Sequence, residues 1–269
     1  MAEASGEQFN ALVRIMERLR ADDGCPWDRE QTRQTLKPFL VEEAYEVVEA
    51  IDDGDPKQIM EELGDLLFQV VFHAQVAAER REFTIGQVLA ATADKMVRRH
   101  PHVFGNSTVS TTREVLEQWE ELKHEERNAA AAVPASALDG VPRELPALLR
   151  AQRLQDKASR VGFDWPEISG VMAKVEEELS ELREAMRSAA PEEVEQELGD
   201  VLFSLVNLAR FLNLSAEDAL RKSITRFAAR FQWMEEALQR DGRRLREVGL
   251  EEMERLWQQA KSPDRSSGA

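Results

Sequence analysis

The chain has 269 residues, 42% of them hydrophobic, with ten prolines and thirteen glycines, a composition that excludes disordered and fibrous classes and leaves room for two ordinary domains. Lysine and arginine total 35 against 51 aspartates and glutamates, a formal charge of −16, which argues against nucleic acid as the main partner because that affinity is built on neutralising phosphates. No apolar run approaches the roughly 18 residues of a membrane span and the start lacks a signal-peptide pattern, and the lone Cys25 can form neither an internal disulfide nor a cysteine zinc site, so a cytoplasmic protein with no membrane and no nucleic-acid partner is expected.

Strand patterning is nearly absent and helix start and stop signals are frequent, so the expected class is all-α. A first helix is predicted over about Phe9 to Arg20, ending at the loop GCPWD, Gly24 to Asp28. The next starts near Pro38 and stops at Gly54, after which Asp55 and Pro56 supply an N-cap and a first-turn proline for a long helix to about Arg80. Thr84 caps a fourth helix through Arg99, the loop HPHVFG follows, and a fifth helix covers STTREVLEQWEELKHEER.

From Ala129 to Pro146 small residues are mixed with prolines, which reads as a linker between an N-terminal domain, residues 1–128, and a C-terminal domain, residues 147–269. The plan then restarts with a helix from about Ala147 to Val161, a loop GFDWPE, the helix GVMAKVEEELSELREAMRS, a helix opened by Pro191, and another opened by Ser215 with Asp218 completing a capping box. Glu43 and Glu178, Glu46 and Glu181, Glu62 and Glu197, and Asp65 and Asp200 are each 135 residues apart, as are Pro56 and Pro191, Gly64 and Gly199, and Phe68 and Phe203. Agreement of these residues in one frame marks an internal duplication.

Residues three apart on a helix share a face, so Glu43 with Glu46, and Glu62 with Asp65, form same-face pairs on consecutive helices. Glu43 falls inside the stripe of Leu36, Leu40, Ala44, Val47 and Ile51, with Glu46 on its shoulder. The run LGDLLFQVVFHAQV is apolar almost all round, so Asp65 is expected to be buried with it. An acidic run on a helix is most often a solvated face, and burial opposite arginine or lysine is a second ordinary explanation. Two carboxylate pairs on adjacent antiparallel helices would repel strongly at low dielectric, and a divalent cation, Mg²⁺ or Mn²⁺, resolves the repulsion. In the second copy Glu178 lies with Val171, Val175 and Leu182, and Glu197 and Asp200 with LGDVLFSLV. Gly64 and Gly199 each cost about 1 kcal/mol inside a helix, and close approach of another backbone or of a ligand is a reason for them.

Each acidic pair is followed by a cationic helix, with Lys95, Arg98 and Arg99 in the first copy and Lys222, Arg226 and Arg230, on one face, in the second. This is either a solvated basic face or a polyphosphate site. Trp119 with Lys123 and Trp257 with Lys261 close the two copies, each tryptophan packing a helix or stacking on a base. His100 and His102 flank a proline, with loop structure the expected reading over metal ligation.

GCPWDREQT, VEEAYEV, EELGDLLFQVVFHA and RRHPHVFG resemble the MazG nucleoside triphosphate pyrophosphohydrolases, over nearly the whole chain except the linker and the tail after Lys261. The resemblance implies tandem all-α helical-bundle domains of the NTP pyrophosphatase type, a homodimer, and Mg²⁺-dependent cleavage of a nucleoside triphosphate to the monophosphate and pyrophosphate, a nucleotide-pool house-cleaning reaction. It also implies that Glu178, Glu181, Glu197 and Asp200 are catalytic metal ligands, that Glu43, Glu46, Glu62 and Asp65 match them in the first copy, and that Lys174, Lys222, Arg226, Arg230 and Trp257 surround the nucleotide. In two-domain relatives catalysis is assigned mainly to the C-terminal copy, although that copy here lacks both GCPWD and HPHVFG. Glu177, beside the ligands, either orients a water or is solvated. The alternatives are a narrower dUTP or phosphoribosyl-ATP pyrophosphohydrolase and a nucleotide-binding regulatory module without turnover.

Overall fold

Thr32 Oγ1 accepts a hydrogen bond from the Thr35 N–H and Thr35 Oγ1 accepts one from the Thr32 N–H, and this reciprocal cap starts a helix five residues before Pro38. Pro38 therefore lies inside that helix rather than opening it. The computed structural model describes residues 2–130, 136–188 and 190–261. Residues 131–135 of the expected linker and the end of the tail fall outside it.

The described chain forms helices α1 (Ala2–Leu19), α2 (Pro26–Glu30), α3 (Arg33–Asp53), α4 (Pro56–Glu79), α5 (Ile85–Arg99), α6 (Pro101–Phe104), α7 (Thr112–Ala130), α8 (Ala147–Arg160), α9 (Ile168–Ser188), α10 (Pro191–Phe211), α11 (Ala216–Arg240) and α12 (Leu250–Lys261), with no strand among the described residues. The two loops expected at GCPWD and HPHVFG each contain a short helix, because Pro26 and Pro101 stand at a first helical position where a missing N–H costs nothing. Gly54 ends α3 in the left-handed region, φ 75°, and Asp55 accepts from the Lys57 N–H, so α3 turns back into α4 within two residues. Ser215 accepts from the Asp218 N–H, but the expected box is only half made. The Asp218 side chain, one methylene shorter than glutamate, bonds Arg221 instead, 3.0 Å away.

The chain divides into two compact units, Met1–Lys123 and His124–Ala269. In the first, α3 pairs with α4 along its length, and α1 closes over α4. Met16, Leu36, Val71, Phe72 and Val76 form its core, with Phe9, Leu12, Val13, Phe39 and Phe68 around them. In the second, α9 pairs with α10 and α8 lies on α10, while the buried cluster sits elsewhere, between α11 and α12, at Met234, Leu238, Val248 and Leu256. In both units the helix before the hairpin lies on its second helix, α1 on α4 and α8 on α10.

Candidate metal and nucleotide site

In each unit the hairpin brings three carboxylates together. Oxygens of Glu43, Glu62 and Asp65 lie within 4.8 Å of one another, and so do those of Glu178, Glu197 and Asp200. Glu46 and Glu181 are not part of these triads, although each lies close enough to act on its neighbours' charge. The buried member is Glu178, with Glu43 half-buried, whereas Asp65 and Asp200 are exposed. Asp65, expected to be buried, is open to solvent. Its helix α4 is apolar all round, yet α3 covers only part of it, and Leu63, Leu67 and Val70 are open alongside the aspartate. Gly64 and Gly199 stand beside the aspartates, and a Cβ added at either would meet nothing within 4 Å of its own chain. The close approach expected at these glycines is not made within one chain.

The two triads differ in their balance of charge. Burial first, and then the Glu46 and Asp65 carboxylates, push the Glu43 carboxyl above its ordinary range, while a hydrogen bond from Gln69 opposes this. Glu62 is shifted the same way, by desolvation and then Glu46. In the second unit Lys174 reaches Glu178 at 2.7 Å and Glu177 at 2.9 Å, and these bonds hold the ammonium well above its usual range. In the 135-residue frame the first unit has Phe39 at that position. Among the described residues, the second triad has a lysine bonded to it, where the first has a phenylalanine in the matching place.

Two members of the second triad, Glu178 and Asp200, lie on the wall of a cavity of about 710 Å³ that is also lined by Lys174, Phe163, Trp165 and Phe203 among others. The loop GFDW is tied to α10 by Arg210, which bonds the Asp164 carboxylate and the Asn207 side-chain oxygen. The Trp165 ring lies on α9 at Gly170, where a Cβ would meet its Cε3 at 2.7 Å. Gly170 is thus required by the indole, and nothing in its sequence context marked it.

Lys222, Arg226, Arg230 and Trp257 do not line this cavity. Trp257 packs beside the α11–α12 cluster, 5.2 Å from Phe227, with Arg230 at 5.8 Å and Lys261 at 6.0 Å over its ring. Lys123 lies 5.9 Å from the Trp119 ring in the first unit, and His100 packs edge-on to that indole while its Nδ1 meets the Met96 carbonyl. No single described helix is long and apolar enough to cross a membrane.

The chain matches the MazG nucleotide pyrophosphohydrolase domain twice, over residues 31–104 and 167–234. It is 48% identical to the nucleoside triphosphate pyrophosphohydrolase/pyrophosphatase MazG of Thermotoga maritima over 98% of the chain and 99% of the relative. Against the nucleoside triphosphate pyrophosphohydrolase of Escherichia coli the identity is 47% over 94% and 97%. The Bacillus subtilis protein YabN is 44% identical over 97% of the chain but only 53% of its own length.

Proposed function

The chain belongs to the MazG nucleotide pyrophosphohydrolase family, and from that premise we propose that it hydrolyses nucleoside triphosphates to the monophosphate and pyrophosphate, clearing unwanted nucleotides from the cytoplasmic pool. The observation that carries the reading is the convergence of three carboxylates from two helices, at the same register in both units. Three oxygens at this spacing, with Glu178 buried, fit a hard divalent cation, which prefers carboxylate ligands and completes its shell with water and phosphate. Mg²⁺ is the proposed ion, with Mn²⁺ as a substitute. Glu178, Glu197 and Asp200 would hold it with Glu181 beside them, and Glu43, Glu62, Asp65 and Glu46 stand in the matching places. When bound, such an ion supplies a water more acidic than bulk and neutralises charge developing on phosphate.

The rest of the work falls to the chain. Lys174 is tied to Glu177 and Glu178 and is placed to exchange a carboxylate for a phosphate oxygen once metal neutralises that carboxylate. Lys222, Arg226 and Arg230 carry three positive charges along α11. We assign them to the polyphosphate and Trp257 to the nucleotide, in an arrangement completed by a homodimer. The dimer reading is supported by Leu198, Leu202 and Leu205 on α10 and Leu220, Ile224 and Phe227 on α11, which stand open in rows at helical spacing.

Chromatography of products from a panel of triphosphates tests the reading, with and without Mg²⁺. Monophosphate and pyrophosphate, formed only with the cation, are expected. Diphosphate and orthophosphate would mean attack on the wrong anhydride, and binding without turnover would favour a regulatory module. A panel narrowed to dUTP or phosphoribosyl-ATP would identify a specialised relative.

A further inference from the structure

Gln155 lines the cavity beside the second acidic triad, and it is only 8% exposed. Its Nε2 donates to the Phe203 carbonyl at 2.8 Å. A carbonyl can only accept, so this bond fixes which way the amide faces and leaves Oε1 as an acceptor. That Oε1 is buried and receives no hydrogen bond from the described protein. A buried acceptor left unpaired is costly, and a donor brought by a bound molecule would satisfy it.

The cavity around it suits a flat, partly apolar group. Phe163, Trp165 and Phe203 supply aromatic surface, Leu138 and Leu154 aliphatic surface, and Lys174, Glu178 and Asp200 supply charge. At about 710 Å³ it is within the size range of small-molecule sites. The first unit supplies a contrast. Arg20 stands four residues before Gly24 of GCPW, and Ala158 four before Gly162 of GFDW. In the 135-residue frame Phe72 corresponds to Asn207. In the first unit Arg20 lies over the Phe72 ring, 5.5 Å from its centre, and Phe72 is 1% exposed within a packed core. In the second unit Ala158 and Asn207 both line the cavity. Anchored on these loops, three residues off the 135-residue frame, Ala158 stands in the place of Arg20, and in that frame Asn207 stands in the place of Phe72.

We propose that the cavity between α8, α9 and α10 receives the nucleobase, and that Gln155 Oε1 accepts a hydrogen bond from a base N–H, so that base selection belongs to the C-terminal unit alone. This rests on the proposed triphosphate hydrolysis and adds where the base is read. Phe163, Trp165 and Phe203 hold the base face, Gln155 reads its donor edge, and the phosphates extend toward Glu178 and Asp200, which leaves Trp257, outside the cavity, to the sugar and phosphates rather than to the base. In the first unit Arg20 and Phe72 fill the corresponding space, so a bound triphosphate there would be held without base recognition.

The test is calorimetric binding, with Mg²⁺ present, of α,β-methylene-ATP and of inorganic tripolyphosphate, which has no base. Gln155→Met keeps the side-chain length and removes the acceptor, and Asn207→Phe restores the filler of the first unit. Gln155→Met should weaken the nucleotide about tenfold, the effect of one hydrogen bond, and leave tripolyphosphate within about twofold. Asn207→Phe should weaken the nucleotide further with the same indifference to tripolyphosphate, and circular dichroism will report whether each variant is folded. Unchanged nucleotide affinity in both folded variants, or equal loss for both ligands, would overturn the base assignment. Failure of the unmodified protein to release pyrophosphate from any nucleotide would overturn the proposed function instead, and the two failures are read from different measurements.

Discussion

Glu43 and Glu178 hold the same place in the two copies with different neighbours, Phe39 for one and Lys174 for the other. Without a cation, Glu43 holds its proton more tightly than an ordinary glutamate because of burial and then Glu46 and Asp65. A carboxyl whose pKa is raised on folding contributes stability that is full below its ordinary value and lost as pH rises through the raised one. Glu43→Gln, which imitates the protonated form, should therefore raise the unfolding midpoint of the metal-free protein at pH 7 to 8 and change it little near pH 4. Mg²⁺ should stabilise the unmodified protein more than this variant, by thermal melts with and without chelator. The exposed aspartates separate charge from packing in the same way. Asp200→Asn should lower pyrophosphate release about a hundredfold or more, since each ~1.4 kcal/mol of lost charge stabilisation is tenfold in rate. Asp65→Asn should leave most activity, because in the first unit Phe72 and the Arg20 guanidinium over it occupy the place matching the proposed base site. A dead Asp65→Asn beside an active Asp200→Asn would reverse the assignment of catalysis to the C-terminal unit.

Much of the helical plan is legible as caps and prolines. Asp55 with Pro56, Thr84, Pro191 and Ser215 all open the helices their sequence signals predict. Pro38 misled because the reciprocal Thr32–Thr35 cap outweighs one lost helical hydrogen bond. The triads are legible from spacing, since i, i+3 periodicity fixes a helix face. The cavity is not, because Gln155 comes from α8, far from the triad in sequence, and Gly170 matters only through the indole it touches. Nor is the bond that closes α1 over α4. Arg20, its side chain 7% exposed, bonds the Glu79 carboxylate with two nitrogens and the Asp28 and Gln31 carbonyls with a third. That guanidinium holds Glu79 below the ordinary carboxylate range, so its stabilisation is present above the ordinary value and lost as pH falls through the lowered one. Glu79→Gln should cost about 1 kcal/mol at pH 7, the low end for a charged bond because Glu79 is 36% exposed. The gap from the unmodified protein should close in urea melts carried below pH 4, and a gap independent of pH would mean packing, not charge, links these elements.

At the scale of the whole molecule, the rows of apolar residues on α10 and α11 need a cover. Leu198, Leu202 and Leu205 are 43 to 49% exposed, and Leu220, Ile224 and Phe227 are 50 to 59% exposed. Isolated exposed leucines are ordinary, but a row of them at helical spacing on each of two successive helices is an apolar stripe of the kind that marks an interface. A second copy of the chain is the economical cover, because a two-fold interface places the same patch on both sides. Light scattering at micromolar protein should give twice the 30.6 kDa of the chain. Leu202→Glu sharpens the test. A residue 46% exposed in the single chain can carry a charge there at little cost, whereas a dimer would have to bury that charge unpaired. The variant should therefore scatter as a monomer while keeping its helical circular dichroism. An unmodified protein of monomer mass, or a Leu202→Glu protein still at twice that mass, would show that something other than this patch joins, or fails to join, two chains.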